Sequence, residues 1–183
     1  MRRNICLDLD KSYFLKYIII WSIQQRGIEM TENEAMENAI QEAYDGINAG
    51  DGGPFGSVVV KDGNIVGRGH NRVIKNQDAT CHGEMEAIRD ACKNLGTFDL
   101  SGCEIYTTSE PCPMCLGAIL WANINKVYQG CNIHDAENIG FRDKRFYDHL
   151  QGNSSLLTVT ELNRTGCQEL FNAYKNLEGK KDY

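Results

Sequence analysis

The sequence predicts an α/β fold in three layers, with helices on both faces of a central mixed five-stranded sheet. Three observations carry this. Helical and strand-like runs alternate along most of the chain, the turn pair Asp62-Gly63 marks a hairpin, and glycines close the first two long helical runs.

Taken in order, Thr31-Glu32-Asn33-Glu34 has the form of a capping box. Ala35, Met36, Ala39, Ile40, Ala43, Tyr44 and Ile47 follow at helical spacing, so a helix spans about 32–49 and Gly50 ends it. Gly52-Gly53-Pro54-Phe55-Gly56 makes a loop. Ser57–Lys61 and Asn64–Gly69 read as strands joined by Asp62-Gly63. Residues 71–81 are polar and irregular. Met85, Ala87, Ile88, Ala91, Cys92 and Leu95 form the next helical pattern, closed by Gly96. A strand over Cys103–Thr108 leads into a helix that starts at Pro-Cys-Pro and runs to about Ala122. Lys126–Gly130 is a further strand, Asp135–Leu150 mixes a short helix with loops, and Leu156–Leu162 alternates as a fifth strand. Cys167–Leu177 is a closing amphipathic helix.

The length suits one domain with a real core, placed at 30–183, behind an N-terminal extension at 1–29. In that extension the apolar run Tyr13–Trp21 is interrupted by Lys16 and is too short to span a bilayer. It is either an upstream addition to an ordinary start at Met30 or a docking segment. A net charge of −6 and a pI near 5.2 lack the basic footprint of a dedicated nucleic-acid binder. Eight cysteines with one C-x-x-C pair and no secretory signal point to reduced thiols and a cytoplasmic location.

Chemistry concentrates between His82 and Cys115. His82-Gly83-Glu84 and Pro111-Cys112-Pro113-Met114-Cys115 supply one imidazole, two thiolates and one carboxylate. Three nitrogen and sulfur ligands, His82, Cys112 and Cys115, suit a single Zn2+ that keeps its fourth position open to water, as catalytic zinc does. Both segments lie where a loop becomes a helix, and free N–H groups there favour thiolates. Cys112 and Cys115 are one helical turn apart and can face one ion. A redox pair or a structural zinc half-site are the alternatives for the C-x-x-C. A redox pair needs no His-x-Glu, however, and no second C-x-x-C supplies the other half of a structural site. Glu84 alone would read as an acid complementing a helix dipole. Two residues from a ligand histidine, it is the expected proton shuttle beside water made acidic by the metal. His70, His134 and His149 have no partner at ligand spacing and read as structural or exposed.

The composite His-x-Glu and Pro-Cys-x-x-Cys pattern resembles the signature of zinc deaminases of the cytidine deaminase superfamily. From about residue 31 to Tyr183 the chain is similar, more narrowly, to the bacterial guanine deaminases. The shared stretches are Gly52–Gly56, Glu110–Ile119, Trp121-Ala122, Gly140-Phe141 with Asp143, and the closing Lys180–Tyr183. The first two also occur, with variations, in tRNA adenosine deaminases; Trp121-Ala122, the Asp143 region and a terminal tyrosine discriminate better.

The resemblance implies a cytidine deaminase-like fold and hydrolytic conversion of guanine to xanthine and ammonia. It implies that Phe55 and Trp121 wall the purine, that Asn71 hydrogen-bonds the base, and that the backbone at Gly83 lines the pocket. Asp143 and Tyr183 would complete the site, in a homodimer that exchanges C-terminal segments. Each also has a plainer reading: core aromatics for Phe55 and Trp121, a turn residue for Asn71, charged surface for Asp143 and a free terminus for Tyr183. Position 83 departs from the pattern, since many purine-acting relatives have alanine there and cytosine deaminases of the superfamily have glycine. The competing expectations are a tRNA adenosine deaminase, a deaminase of cytosine, guanosine or another small heterocycle, and a zinc-stabilised binding module without turnover.

Overall fold

The computed structural model describes residues 30–181, so the N-terminal extension and Tyr183 lie outside the described residues. Seven helices and four strands appear among those residues: α1 Glu32–Ala49, β1 Gly56–Lys61, β2 Asn64–His70, α2 Val73–Asn76, α3 Gly83–Leu95, β3 Cys103–Ser109, α4 Pro113–Trp121, β4 Lys126–Cys131, α5 Ile133–Asn138, α6 Asp143–Leu150 and α7 Arg164–Lys175. They fall into two compact units, one running to Lys144 and one from Arg145 onward.

In the first unit the capping box forms as expected. Thr31 Oγ1 accepts from Glu34 N at 3.2 Å, Glu34 Oε2 accepts from Thr31 N at 2.8 Å, and Gly50 ends α1 in the left-handed region. The sheet has strand order β2-β1-β3-β4. β1 is antiparallel to both β2 and β3, while β3 and β4 are parallel, so the sheet is mixed. β1 is buried on both faces, which explains its unbroken valine run. Val58 and Val60 pack on Ala35 and Ala39 of α1; Val59 packs on Ala87 and Ala91 of α3, together with Ile105 and Ile119. Alanines on the helix faces let both helices sit close to the sheet, and each buried valine contributes about 2 kcal/mol. Helices on both faces give the expected three layers and bring the C-terminal ends of β3 and β4 beside the start of α4.

The expected fifth strand does not form. Residues 155–163 pair with no strand among the described residues, and Val159 and Leu162 are exposed. Alternation gives a segment the ability to make a strand; a ladder also needs a neighbour with free N–H and C=O groups, and the described residues pair none with it. The region 133–150 holds two helices where one short helix and loops were expected. The last helix starts three residues earlier than its pattern suggests, with Asn163 accepting from Gly166 N. No helix among the described residues is long and apolar enough to cross a membrane.

Candidate active site

Two helix starts converge. His82 is the extended residue capping α3, and Cys112 occupies the same position before α4, whose first residue is Pro113. A proline costs nothing there, because its missing N–H would have had no helical partner. Glu110 fixes the approach to α4: its N–H donates to the Cys131 carbonyl at 2.9 Å, and its Oε2 accepts from Ile133 N at 3.0 Å. The loop entering α4 is thereby tied to the end of β4.

His82 Nδ1 lies 3.6 Å from both Cys112 Sγ and Cys115 Sγ, and the three ligand atoms all fall within 4.8 Å of one another. The donor set fits zinc: one imidazole nitrogen facing two sulfurs, on rigid elements, with both cysteines buried. Hydrogen bonding from Cys115, followed by His82, holds the Cys112 thiol down at about 4, deep in thiolate territory. Cys115 is pushed up, first by Cys112 and then by burial. His82 is raised, chiefly by its contact with Cys112. Two sulfurs and an imidazole crowded together share one proton poorly, and a cation would relieve that conflict. Glu84, in the first turn of α3, is only 5 % exposed, and burial raises its carboxyl above the usual carboxylate range.

The residues expected around the base are placed unevenly. The Asn71 side chain is buried, and its Oδ1 accepts from Gly53 N at 3.3 Å and Val73 N at 3.2 Å. The Phe55 ring meets Phe141 edge-on, with centroids 4.5 Å apart. A Cβ on Gly83 would lie 2.9 Å from the Phe55 carbonyl oxygen, so the bare glycine lets α3 begin hard against the Phe55 backbone. Asp143, at the start of α6, has its carboxyl raised by burial and by the nearby Cys112 thiolate, against the pull of His82. Trp121, the last residue of α4, is 68 % exposed. Sequence reasoning did not single out Phe141 as the ring that meets Phe55, and no periodicity could have, because the contact joins two loops. His70, read as structural or exposed, is buried against Asp51.

With this geometry in place, the sequence model of the cytidine and deoxycytidylate deaminase zinc-binding region matches residues 30–131. The chain belongs to that family. It is a hydrolytic deaminase with a candidate site for one zinc ion per chain, formed by His82, Cys112 and Cys115. It is 42 % identical to the guanine deaminase of Bacillus subtilis over 156 residues, covering 84 % of this deaminase and all of that relative. The crystal structure of the Bacillus subtilis enzyme superposes with a TM-score of 0.80 at 40 % identity, covering 84 % of this chain and 99 % of that one. A tRNA-specific adenosine deaminase of Aquifex aeolicus is 38 % identical over 117 residues, covering 57 % of this chain and 78 % of its own.

Proposed function

We propose that the protein deaminates guanine to xanthine and ammonia. The observation that carries this is the extent of the match. Similarity to the Bacillus subtilis guanine deaminase covers that relative from end to end, whereas similarity to the tRNA deaminase of Aquifex aeolicus spans 117 residues. An acidic chain of net charge −6 also suits a small neutral base better than a polyanion.

His82, Cys112 and Cys115 would hold the zinc, which when bound makes water acidic enough to act as a nucleophile near neutral pH. Glu84 would take a proton from the attacking water, whose oxygen bonds to the amino-bearing carbon, and deliver it to the adjacent ring nitrogen. The added hydroxyl would then give up its proton, which Glu84 passes to the amine; the C–N bond breaks, the carbonyl forms and ammonia leaves. Burial suits Glu84 to the task, because a carboxyl with a raised pKa both accepts and returns a proton. Phe55, with Phe141 behind it, is assigned to one face of the purine and Trp121 to the other. Asn71 donates to the base through its amide, the Gly83 backbone lines the pocket, and Asp143 meets a ring N–H or amine.

The protein is assigned to a homodimer. Leu157, Val159, Leu162, Leu170 and Phe171 are exposed, and a second copy receiving this C-terminal segment would cover them and bring Tyr183 to a pocket. Residues 30–183 are assigned to the deaminase domain, and seven free cysteines among the described residues suit a reducing compartment.

The test is ammonia release by zinc-loaded protein given guanine, guanosine, cytosine, adenine and a tRNA anticodon stem-loop in separate reactions. Turnover of guanine ahead of all others is the expected result. Turnover of the stem-loop without guanine would transfer the assignment to RNA editing.

A further inference from the structure

We propose that Asp51 and His70 act as positioning residues: together they lock the loop that carries Phe55 to the turn that carries Asn71. The inference rests on the reading that Phe55 and Asn71 contact the base, and extends it to two residues outside the pocket.

Asp51 directly follows the cap of α1 and opens the loop Gly52-Gly53-Pro54-Phe55; His70 ends β2 and directly precedes Asn71. His70 Nε2 lies 3.0 Å from Asp51 Oδ2, and both side chains are buried. In the tautomer that carries its proton on Nε2 the imidazole donates to this acceptor-only carboxylate; Arg72 Nε lies 3.3 Å from the same nitrogen. Lys75 Nζ donates to the same Oδ2 at 2.8 Å, and the Asp51 carbonyl accepts from Ile74 N and Lys75 N at 3.1 and 3.0 Å. Asp51 therefore holds the β2-to-α2 turn through both its side chain and its backbone. On its other side the His70 ring lies on α1 at Gly46, where an added Cβ would come within 2.7 Å of the ring; Nδ1 is 3.5 Å from Glu42 Oε2. Gly46 thus admits the imidazole into a slot with no room for a side chain.

The lock controls the orientation of Asn71. Asn71 N donates to the Phe55 carbonyl at 2.8 Å, while Asn71 Oδ1 accepts from Gly53 N and Val73 N. With the oxygen engaged by two backbone donors, the amide cannot flip, and its NH2 is the group left to offer a ligand acceptor. Two of these three bonds, to the Phe55 carbonyl and from Gly53 N, join the two segments that Asp51 and His70 hold together. A buried carboxylate that loses a partner is costly, so the pair favours one register of the two segments. Among the described residues, the side chains of Asp51 and His70 pair with one another and with Glu42, Arg72 and Lys75, so their effect reaches the reaction through Asn71 and Phe55.

The experiment combines His70→Leu, His70→Gln and Asp51→Asn with three readouts: zinc content, steady-state kinetics on guanine, and hydrogen–deuterium exchange resolved by segment. We expect one zinc per chain in all three. His70→Leu should raise KM about tenfold with kcat within about threefold of wild type. His70→Gln, whose amide can still donate to Asp51, should recover most of that loss. Exchange in residues 51–56 and 71–75 should quicken about tenfold in His70→Leu and Asp51→Asn, with α3 unchanged. Unchanged exchange in those two segments would overturn the proposal. So would even loosening of every element, or a fall in kcat at constant KM. If His70→Leu does not fold, Asp51→Asn carries the same test. If wild type leaves guanine unconverted, the substrate assignment fails, and the exchange measurement still decides whether the lock exists.

Discussion

The half of the site assigned to the chemistry and the half assigned to recognise the base are built in opposite ways. His82 and Glu84 come from one helix start, Cys112 and Cys115 from another, and both helices pack on the same face of the sheet. Four groups are thus fixed by two rigid elements. Phe55, Asn71, Phe141, Asp143 and Trp121 come instead from a loop, a strand end, another loop and two helix ends. Reactive atoms tolerate almost no displacement, so they sit on packed helices; residues assigned to grip a flat apolar base sit on segments that can vary while the chemistry is preserved.

That contrast can be broken most severely from the chemical side. Cys112→Ser removes a thiolate ligand, and metal analysis with an ammonia assay should find zinc and turnover lost together. A variant that kept full activity without zinc would dissolve the distinction between the two halves. On the recognition side, Phe55→Ala should leave zinc in place and raise KM for guanine about tenfold or more, the scale of a lost aromatic stacking partner. Steady-state kinetics checks this, and an equal loss in kcat would mean that the ring belongs with the chemistry. Gly83→Ala joins the halves, because its new methyl group would sit 2.9 Å from the Phe55 carbonyl in the same turn as Glu84. A shift of Phe55 should raise KM about fivefold with zinc unchanged. No change in KM would show that the loop yields freely.

The smallest effect concerns acid stability. The Asp51 carboxyl is held below the usual carboxylate range by hydrogen bonds from Lys75 and then His70, with Arg72 near the same oxygen and Glu42 beyond the imidazole. A folded value below the unfolded one contributes stability that is present above the unfolded value and lost as pH falls through the folded one. The gap in Tm between wild type and Asp51→Asn should therefore narrow as pH drops through and below the carboxylate range. A constant gap would assign the effect of Asp51 to packing.

The two halves also differ in how far sequence reveals them. The chemical half is built from two local pairs. His82-x-Glu84 and Cys112-x-x-Cys115 each fit within one helical turn, so spacing places the members of each pair together, and their composite pattern, rather than spacing, joins the pairs. The layers of the fold were equally readable, since the Thr31–Glu34 box, the Asp62-Gly63 turn and the valine run of β1 are short-range signals with physical causes. Leu156–Leu162 misled, because alternation says that a segment can pair and says nothing about a neighbouring edge. Phe141 against Phe55 and His70 against Asp51 were hidden for a related reason. Each joins residues distant in sequence across loops, and no periodicity reports such a meeting.

The most direct test of the account is to replace Glu84 by Gln and follow conversion of guanine to xanthine by ultraviolet absorbance, with zinc measured on the same sample. The amide keeps the shape of the carboxyl and cannot carry the proton. The account predicts one zinc per chain, an unchanged fold and turnover reduced by at least about a thousandfold. Turnover near the wild-type rate with zinc bound would contradict it, and would remove Glu84 from the proton path around which the chemical half is arranged.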